Sequence, residues 1–397
     1  MAGYGRVGLI EYGTVRHVIG SLLSIILPGD EMRLEHLHSL VSPLTGLRLR
    51  LQSVQSQKHG EIKEGTLVDE SGDHRVQIHD FIPRFISDPS YTGSFGEQWN
   101  RYRSIQIDNE NKLNLSADRF YRWTGWNKDE LAGQRILEAG CGAGRFTQVM
   151  LDAGANVYAL DMSSAVDACR RTNGPNANLS LVQADIYRIP HPLEFFDRIF
   201  CYGVLQHTPD PKQAFMSLIK FLRPGGRIAI DCYLKSRRLS RWTAKYIWRP
   251  ITTRLSSQML FKAIEWYIPK WLPIDTKLAS VPGIGKWLVS IIPCWNYTGL
   301  LPLRREEIVS WAILDTFDAL APKYDQPQSP EEVTSWFEQA GLADIHVELG
   351  STGIVGNATK PLKTAAGAPT RTNTPGRVET LRARQGRGAL LFENSSS

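Results

Sequence analysis

Alternating strand and helix patterns occupy the middle of the chain. Short apolar runs predict strands at residues 135–139, 156–160, 179–184, 198–202 and 227–232. Apolar positions at helical spacing predict helices between them, at 145–152, 163–172 and 211–222. A later helix at 331–339 precedes two short runs, 345–349 and 353–356, that could form a closing hairpin. Because such alternation is typical of α/β proteins, we predict a doubly wound, mostly parallel sheet.

The segments that flank this core follow other patterns. Residues 40–85 alternate over short runs separated by turns, which predicts a small antiparallel β module. Residues 235–329 are rich in Trp and Pro and lack the alternation, which predicts a mainly helical cap inserted into the core. Patterned sequence starts at Met32, so we expect translation to start there and the residues before it to be a non-native or disordered extension.

These patterns divide the chain into six parts. They are 1–31, the extension; 32–87, the β module; 88–234, the core with a helical segment ahead of it; 235–329, the cap; 330–357, the core-closing helix and hairpin; and 358–397, a basic tail. The tail consists largely of Thr, Ala, Gly, Pro, Arg and Ser, so we expect it to be disordered.

Composition narrows the class of protein. Of the 397 residues, 42% are hydrophobic and 22% charged, and no apolar run approaches the ~18 residues that a membrane-spanning helix needs, which excludes a polytopic membrane protein. The five cysteines are odd in number and widely scattered. This favours a reducing, cytoplasmic location. No small-residue cleavage site follows the N-terminal apolar run, so we predict no secretory signal.

The net charge of +6 is unevenly distributed. Residues 235–287 carry eleven Lys or Arg against two acidic residues, a charge of +9, and residues 357–397 carry +5, so the rest of the chain sums to −8. Eight aromatic residues lie among the cations of the cap. Either this charge is a solvated surface of the cap, or it meets an anionic amphiphilic acceptor or the inner face of the membrane that carries it. We expect a small-molecule or amphiphilic partner, and the distribution disfavours nucleic acid.

A glycine-rich loop is the decisive motif. The sequence EAGCGAGR (138–145) lies where the first core strand turns into a helix, and glycines there let the backbone approach a ligand. Asp161 ends the second strand, 21 residues after Gly140, where a carboxylate can accept both ribose hydroxyls of an adenosine ligand; the alternative is a helix cap with Ser163. Asp185 ends the third strand at the same edge of the sheet.

The core resembles the class I S-adenosylmethionine-dependent methyltransferases over about residues 88–357, most closely the branch with quinone and small-molecule enzymes. The matching segments are LEAGCGAGRFT (137–147), ALDMS (159–163), QADIYRIP (183–190), FDRIFCYGVLQHTPDP (196–211) and LRPGGRIAI (222–230). The resemblance implies S-adenosylmethionine as cofactor. The residues that it implies for cofactor binding are Glu138, Gly140, Cys141, Gly142, Gly144, Asp161, Met162, Asp185, Ile186, Tyr202, Gln98 and Arg101.

The N-terminal module is similar to a zinc ribbon that precedes many bacterial methyltransferase domains. The segments SPLTG (42–46) and VDESG (68–72) match its two knuckles, but Ser42, Thr45, Val68 and Ser71 occupy the cysteine positions. None of these side chains offers a thiolate or imidazole, so we predict no metal. His36 and His38 could chelate from one strand face, and surface histidines are the simpler interpretation.

Three residues are candidates for work on the methyl acceptor. His207 follows the fourth strand and is the first choice as a general base, while a histidine that orients Asp210 or caps a helix is the alternative. Asp231 and Tyr233, at the end of the fifth strand, are second choices. Gln206 stands where the family pattern often has a second histidine. Downstream, WAILDTFD (311–318) and KYDQP (323–327) could line the acceptor pocket or be a simple helix and turn.

Other functions fit the sequence less well. A nicotinamide dehydrogenase would show Gly-x-Gly-x-x-Gly, and this loop places its third glycine one residue early. An amino-methyltransferase acting on nucleic-acid bases would carry Asn/Asp-Pro-Pro-aromatic after the fourth strand, where Tyr202-Gly203-Val204-Leu205 stands. An RNA methyltransferase and a non-catalytic cofactor-binding protein remain the alternatives to a small-molecule enzyme.

Overall fold

The computed structural model describes residue 37 and residues 39–86, 92–235, 241–350 and 353–363. The extension 1–31, the histidines at 36 and 38 and most of the predicted tail lie outside the described residues. The described strands are β1 (Leu49–Lys58), β2 (Glu61–Asp69), β3 (Arg75–His79), β4 (Ile82–Arg84), β5 (Arg135–Ala139), β6 (Asn156–Asp161), β7 (Leu179–Gln183), β8 (Phe196–Cys201), β9 (Leu222–Cys232), β10 (Ala343–Leu349) and β11 (Ile354–Thr359).

The helices fall into two groups, those of the core and those of the cap. The core helices are α1 (Gly93–Arg101), α2 (Asp108–Asn111), α3 (Leu115–Thr124), α4 (Arg145–Asp152), α5 (Ala165–Asn173) and α6 (Pro211–Ile219). The cap helices are α7 (Arg241–Thr252), α8 (Ser257–Ala279), α9 (Gly285–Val289) and α10 (Arg305–Leu320), and α11 (Pro330–Gln339) returns the chain to the core. None of the described helices is long and apolar enough to cross a bilayer.

The strands form one mixed sheet in the order β1-β2-β3-β4-β7-β6-β5-β8-β9-β11-β10. Strands β4, β7, β6, β5, β8 and β9 run parallel, and β11 and β10 close the far side as an antiparallel hairpin. This confirms the doubly wound α/β fold. The strand order reverses between β5 and β8, and ligands of such sheets bind in the crevice at this point.

Burial explains why the central strands form. Residues 136–139 of β5 are all buried, because helices cover both faces of a parallel sheet. On one face Phe120 packs against Phe200, with ring centroids 5.1 Å apart. On the other, Phe215 packs against Phe337 at 4.8 Å. The central sheet therefore has a packed apolar layer on each of its two faces.

The N-terminal β module is antiparallel, as predicted, and it continues the core sheet. Arg84 of β4 pairs in register with Gln183 of β7. Its guanidinium also lies 2.6 Å from the carboxylate of Asp167 on α5. Arg170 of the same helix pairs with Glu61 of β2. These contacts attach the module to β7 and α5 of the core.

The two zinc-ribbon-like knuckles meet through hydrogen bonds. Thr45 Oγ1 donates to Asp69 Oδ2 at 2.7 Å, and Ser71 Oγ donates to Asp69 Oδ1 at 2.8 Å. Ser42 Oγ lies 2.8 Å from Nδ1 of His74. Burial alone would raise the pKa of Asp69, but these hydroxyls and two backbone amides outweigh it and hold the pKa at about 2. Among the described residues, no group of three His, Cys, Asp or Glu side chains could hold a metal ion.

Helices dominate the cap, as predicted, and it has its own apolar core. Phe261 of α8 stacks on Phe317 of α10, with ring centroids 3.6 Å apart. Leu260, Ile264 and Ile268 on the same face of α8 are buried. This small core holds α8 and α10 together at the carboxyl edge of the sheet.

The predicted boundary of the tail at 358 is too early. Strand β11 pairs with β9 as far as Thr359, and the backbone of Lys360 then hydrogen-bonds that of Gly226 at 2.8 Å. Its ammonium also donates to two carbonyl oxygens, those of Ile219 and Leu222. Thr359 and Lys360 therefore belong to the folded core and not to the tail.

Candidate functional site

A cavity of about 1080 Å³ opens at the carboxyl edge of the sheet and is lined by both core and cap. Loops that follow β5, β6, β7, β8 and β9 supply the core side of its wall. Of the residues proposed from the sequence, the wall includes Gln98, Gly140, Cys141, Gly142, Asp161, Met162, Asp185, Ile186, Tyr202, His207, Asp231 and Tyr233. The structure thus brings most of the predicted site together in one place.

The loop after β5 has backbone conformations that favour glycine at two cavity-lining positions, 140 and 142. Gly140 has φ +85° and Gly142 has φ +53°. A Cβ at Gly140 would lie 2.1 Å from Cγ2 of Val204, and one at Gly142 would lie 3.3 Å from the ring of Trp99. The backbone amides of Gly140 and Cys141 both donate to the Leu160 carbonyl, at 2.8 and 3.0 Å. The loop therefore presents main chain to the cavity.

Asp161 at the end of β6 shapes this loop and also lines the cavity. Its Oδ2 accepts from the Gly142 amide at 3.0 Å, and its Oδ1 accepts from the amide and hydroxyl of Ser163 at 2.8 and 2.7 Å. Burial raises the pKa of the Asp161 carboxyl. Asp161 does not cap α5, whose N-cap is Ser164; its side chain holds the glycine loop in place and lines the cavity.

Three residues implied for cofactor binding lie off the cavity wall. Glu138 is buried behind the loop and accepts a hydrogen bond from Thr147; burial raises the pKa of this carboxyl well above its usual value. Gly144 is the N-cap of α4 with φ +84°. Arg101 is directed to the cap instead, where its guanidinium lies 2.6 Å from Glu265. The pairing with Glu265 explains why Arg101 is not available to the cavity.

His207 has the environment of a neutral base. Its Nδ1 lies 3.0 Å from the Tyr324 carbonyl oxygen, which can only accept, so Nδ1 carries the proton and Nε2 keeps its lone pair. Burial lowers the pKa of His207 below 6.5. Its ring packs on Phe95 and, edge to face, on Tyr233. Asp210 is the N-cap of α6 and accepts from the Gln213 backbone amide, and no hydrogen bond among the described residues joins it to His207.

The two second-choice residues lie beside His207. Asp231 Oδ1 accepts from the Gly203 amide at 2.5 Å, and its Oδ2 lies 3.4 Å from Arg119. Burial raises the pKa of the Asp231 carboxyl. Tyr233 donates from its hydroxyl to Asp318 at 3.3 Å, and burial raises the pKa of this phenol well above its usual value.

Sequence reasoning missed Gln106, Arg119 and Arg145, polar residues next to the glycine loop and to the predicted Tyr202. Arg145 donates to Gln106 at 2.5 Å, and burial together with the neighbouring charge of Arg119 lowers the pKa of Arg145 to about 10. Within the part of the chain that the structure describes, Nε of Arg145 and the buried hydroxyl of Tyr202 have no hydrogen-bond partner. Arg145 is the last residue of the glycine motif, and this position in the motif is the sequence signal that could have identified it.

The chemistry of these unpaired donors can be compared with the chemical groups of S-adenosylmethionine. The cofactor carries a carboxylate on its methionine end, and buried donors beside a glycine loop match such a group. Gly140 and Gly142 also line the cavity, where the absence of side chains suits a ligand in contact with the main chain. The residues present therefore fit the cofactor that the resemblance implied.

Gln206, the departure from the family pattern, lies off the cavity wall. Its side chain is fully buried, and neither amide atom has a hydrogen-bond partner among the described residues. Its backbone carbonyl accepts from the Gln326 amide at 2.8 Å. The structure gives no reason for an amide at this position.

Comparisons with known proteins identify relatives of the core. A family described as "Methyltransferase domain" matches residues 137–230. Ubiquinone biosynthesis O-methyltransferase of Thiobacillus denitrificans is 32% identical over 133 residues, 32% of this chain and 56% of that protein. The enzyme of the same name from Xanthomonas oryzae is 32% identical over 109 residues, 26% of this chain and 44% of that protein. The chain therefore spans about half the length of these curated relatives.

One solved structure found by the comparison is magnesium protoporphyrin IX methyltransferase of Synechocystis, at 14% identity and TM-score 0.37. The alignment covers 68% of this chain and 97% of that one. A second is a 1,6-didemethyltoxoflavin N1-methyltransferase of Burkholderia thailandensis, at 16% identity and TM-score 0.35, covering 67% and 85%.

Proposed function

We propose, from the premise that this chain contains a class I S-adenosylmethionine-dependent methyltransferase domain, that it transfers a methyl group to an O, C or N atom of a small-molecule or lipid-linked acceptor. One observation carries the proposal: a glycine loop that exposes main chain and a buried neutral histidine, His207, lie on the wall of one cavity. That arrangement supports a cofactor site and a base that one acceptor could reach together.

The core side of the cavity would hold the cofactor. Main chain at Gly140 and Gly142 would contact its methionine part, and Arg145 and Tyr202 would donate to the carboxylate there. Asp161 would accept from the ribose hydroxyls and Asp185, with Ile186, would meet the adenine edge. When bound, the cofactor supplies a methyl group already activated on a sulfonium sulfur.

The chain's own residues then position the acceptor and remove its proton. His207 is kept neutral by burial, so its Nε2 can take a proton from an acceptor hydroxyl or amine at neutral pH. The Tyr324 carbonyl fixes the ring orientation through Nδ1. Asp231 and Tyr233 border the same space and would orient the acceptor. An acceptor whose nucleophilic atom carries no proton would need only this alignment.

We further propose that the outer surface of the cap contacts an anionic membrane. The cap exposes several large apolar side chains, here called the cap surface: Ile247, Ile251, Met259, Trp266 and Ile284. Trp266 is 68% exposed, and the Lys270 ammonium lies 3.7 Å above its ring. Exposed aromatic and aliphatic groups beside lysines are typical of peripheral membrane binding. The protein would then lie in the cytoplasm, at the inner membrane face.

Two measurements test the catalytic proposal. Isothermal titration with S-adenosylmethionine should show one site, and tritiated-methyl transfer should label a lipid, quinone or glycan fraction of the source cell. Absence of binding would contradict the enzymatic function. Labelling of RNA alone would instead favour the RNA methyltransferase alternative.

Vesicle co-sedimentation tests the membrane proposal. Binding should be strong to vesicles of mixed phosphatidylcholine and phosphatidylglycerol and weak to pure phosphatidylcholine. Trp266→Ser should lower binding by about tenfold, since burial of a large apolar side chain contributes roughly 1.5–3 kcal/mol. Leu193, 66% exposed and outside the cap, offers the matched control Leu193→Ser. Equal binding to both vesicle types would contradict the proposal.

A further inference from the structure

The cap side of the cavity wall carries the opposite charge from the cap's outer surface. Three of its side chains are carboxylates, Asp275 of α8 and Asp315 and Asp318 of α10. Among the described residues of the cap, Lys245 is the cation on this wall, and its ammonium lies 2.8 Å from the buried carboxylate of Asp325. The surplus of basic residues in the cap therefore does not reach the cavity.

Neighbouring side chains hold the three carboxylates in place. Asp275 accepts from the Asn296 amide at 2.8 Å. Asp318 accepts from the Gln98 amide at 3.2 Å and from the Tyr233 hydroxyl at 3.3 Å. A carboxylate has about four acceptor sites, so each oxygen can take further donors from a ligand. The cap wall is thus built of fixed hydrogen-bond acceptors.

Asp315 accepts hydrogen bonds from three neighbouring side chains. It accepts from the Tyr297 hydroxyl, from the Trp311 indole at 3.2 Å and from the Gln106 amide at 3.2 Å. Burial raises the pKa of Asp315 to about 7. The rings of Tyr297 and Trp311 also line the cavity. Aromatic rings therefore accompany the acidic groups on this wall.

This chemistry discriminates between kinds of acceptor. A phosphate or carboxylate on the cap side would meet carboxylates of like charge in a partly desolvated site, which is unfavourable. A quinone ring would stack on the aromatic groups but would present mainly carbonyl oxygens, which cannot donate. A ring that bears several hydroxyls offers both apolar C–H faces for Tyr297 and Trp311 and donors for the acids.

We propose that the acceptor presents a polyhydroxylated, glycosyl-type group to the cap wall, where Asp275, Asp315 and Asp318 accept its hydroxyls. This proposal rests on the proposed methyl transfer, whose acceptor it specifies. It differs from the expectation drawn from net charge, which pointed to an anionic group in the pocket. The positive charge of the cap lies outside the cavity and serves a different contact.

Ligand-observed NMR on the full chain saturated with S-adenosylhomocysteine tests the proposal. The probes are methyl glycosides of hexoses and deoxyhexoses, with catechol and phenyl phosphate as comparison compounds. At least one glycoside should show saturation transfer, and Asp318→Asn and Asp275→Asn should each weaken its binding by about tenfold. Asp69→Asn, which changes a buried carboxylate outside the cavity, should leave glycoside binding unchanged.

The outcomes separate the two proposals. If S-adenosylhomocysteine binds and no glycoside does, or if catechol or phenyl phosphate binds in their place, the glycosyl proposal is wrong. Glycoside binding that persists undiminished in both Asp variants would also overturn it. Failure of the wild-type chain to bind S-adenosylhomocysteine would contradict the methyltransferase function itself. S-adenosylhomocysteine binding by each variant also shows that it has folded.

Discussion

The core side and the cap side of the cavity present different chemical groups to a ligand. The core side combines the main chain of the glycine loop with strand-end side chains such as Asp161 and Asp185. The cap side presents side chains, among them Asp275, Asp315 and Asp318. A wall of main chain depends on backbone conformation, whereas a wall of side chains depends on the identity of each residue. We therefore expect changes on the core side to abolish cofactor binding and changes on the cap side to alter acceptor choice.

The largest effect is expected at the glycine loop. Gly140→Ala places a Cβ at a position 2.1 Å from Val204, in a backbone conformation with φ +85°. Such strain costs roughly 1–3 kcal/mol, and relief of the clash would move the loop away from the cofactor, so cofactor affinity should fall by up to about 150-fold. Calorimetry measures it. Gly133→Ala is the matched control, with φ +72° and open space around it. Equal losses in both variants would contradict a specific role for the loop.

His207 lies where the two sides meet, and its replacement should affect turnover without affecting cofactor binding. His207→Gln should lower kcat by about 100-fold, within the range of general-base effects. The wild-type rate should fall on the acid side, below pH 6.5, because the lowered pKa keeps His207 neutral above that range and protonation removes the base as pH drops.

The acid limb of the pH–rate profile distinguishes a base from a structural histidine. His207→Gln should remove this limb. His191→Gln, which alters another buried histidine packed against Tyr158, should keep it. A limb that survives in His207→Gln would assign the titration to another group, and Asp231 would be the next candidate.

A buried ion pair connects the cap to the histidine. Lys245 of α7 and Asp325 are 3% and 1% exposed, and the Arg249 Nε is 3.8 Å from the same carboxylate. Asp325 adjoins Tyr324, whose carbonyl oxygen accepts from His207. Lys245→Met should destabilise the protein by about 3 kcal/mol, because a buried carboxylate loses its closest cation. Chemical denaturation measures this loss.

The same variant should shift the acid limb to higher pH. The Lys245 charge lowers the pKa of His207 and the Asp325 charge raises it, so removal of the lysine leaves His207 easier to protonate. The double variant Lys245→Met/Asp325→Asn removes both charges and should recover most of the stability. A limb that does not move would show that the ion pair is only structural.

Local patterns predicted the core because its strands and helices are specified by nearby residues. Strand β5 and helix α4 have the predicted bounds, 135–139 and 145–152. Helix α6 ends at Ile219, three residues early, because Leu222 pairs with Phe196 and starts β9 there. That pairing joins distant segments, so helical periodicity could not reveal it.

The cap wall was harder to predict for the same reason. The acids at 315 and 318 were recognised as polar positions on an apolar helix, but their partners Gln98, Gln106 and Tyr297 come from other parts of the chain. Net charge pointed to a basic pocket because a sequence does not show which charges reach a cavity. The ion pair between Lys245 and Asp325 joins residues eighty positions apart.

The smallest effect is expected at Tyr202, and its two consequences should have opposite signs. The Tyr202 hydroxyl is buried without a hydrogen-bond partner among the described residues, so Tyr202→Phe should leave the free protein equally stable or more stable. Cofactor affinity should fall by about tenfold, since a hydrogen bond to a charged group is worth roughly 1.5 kcal/mol or more.

Tyr187→Phe is the contrasting variant, because the Tyr187 hydroxyl bonds the backbone of Asp210 at 2.9 Å and its loss should lower stability alone. Thermal unfolding with and without S-adenosylhomocysteine measures both effects, and a Tyr202→Phe protein that binds the cofactor as tightly as the wild type would place the carboxylate elsewhere.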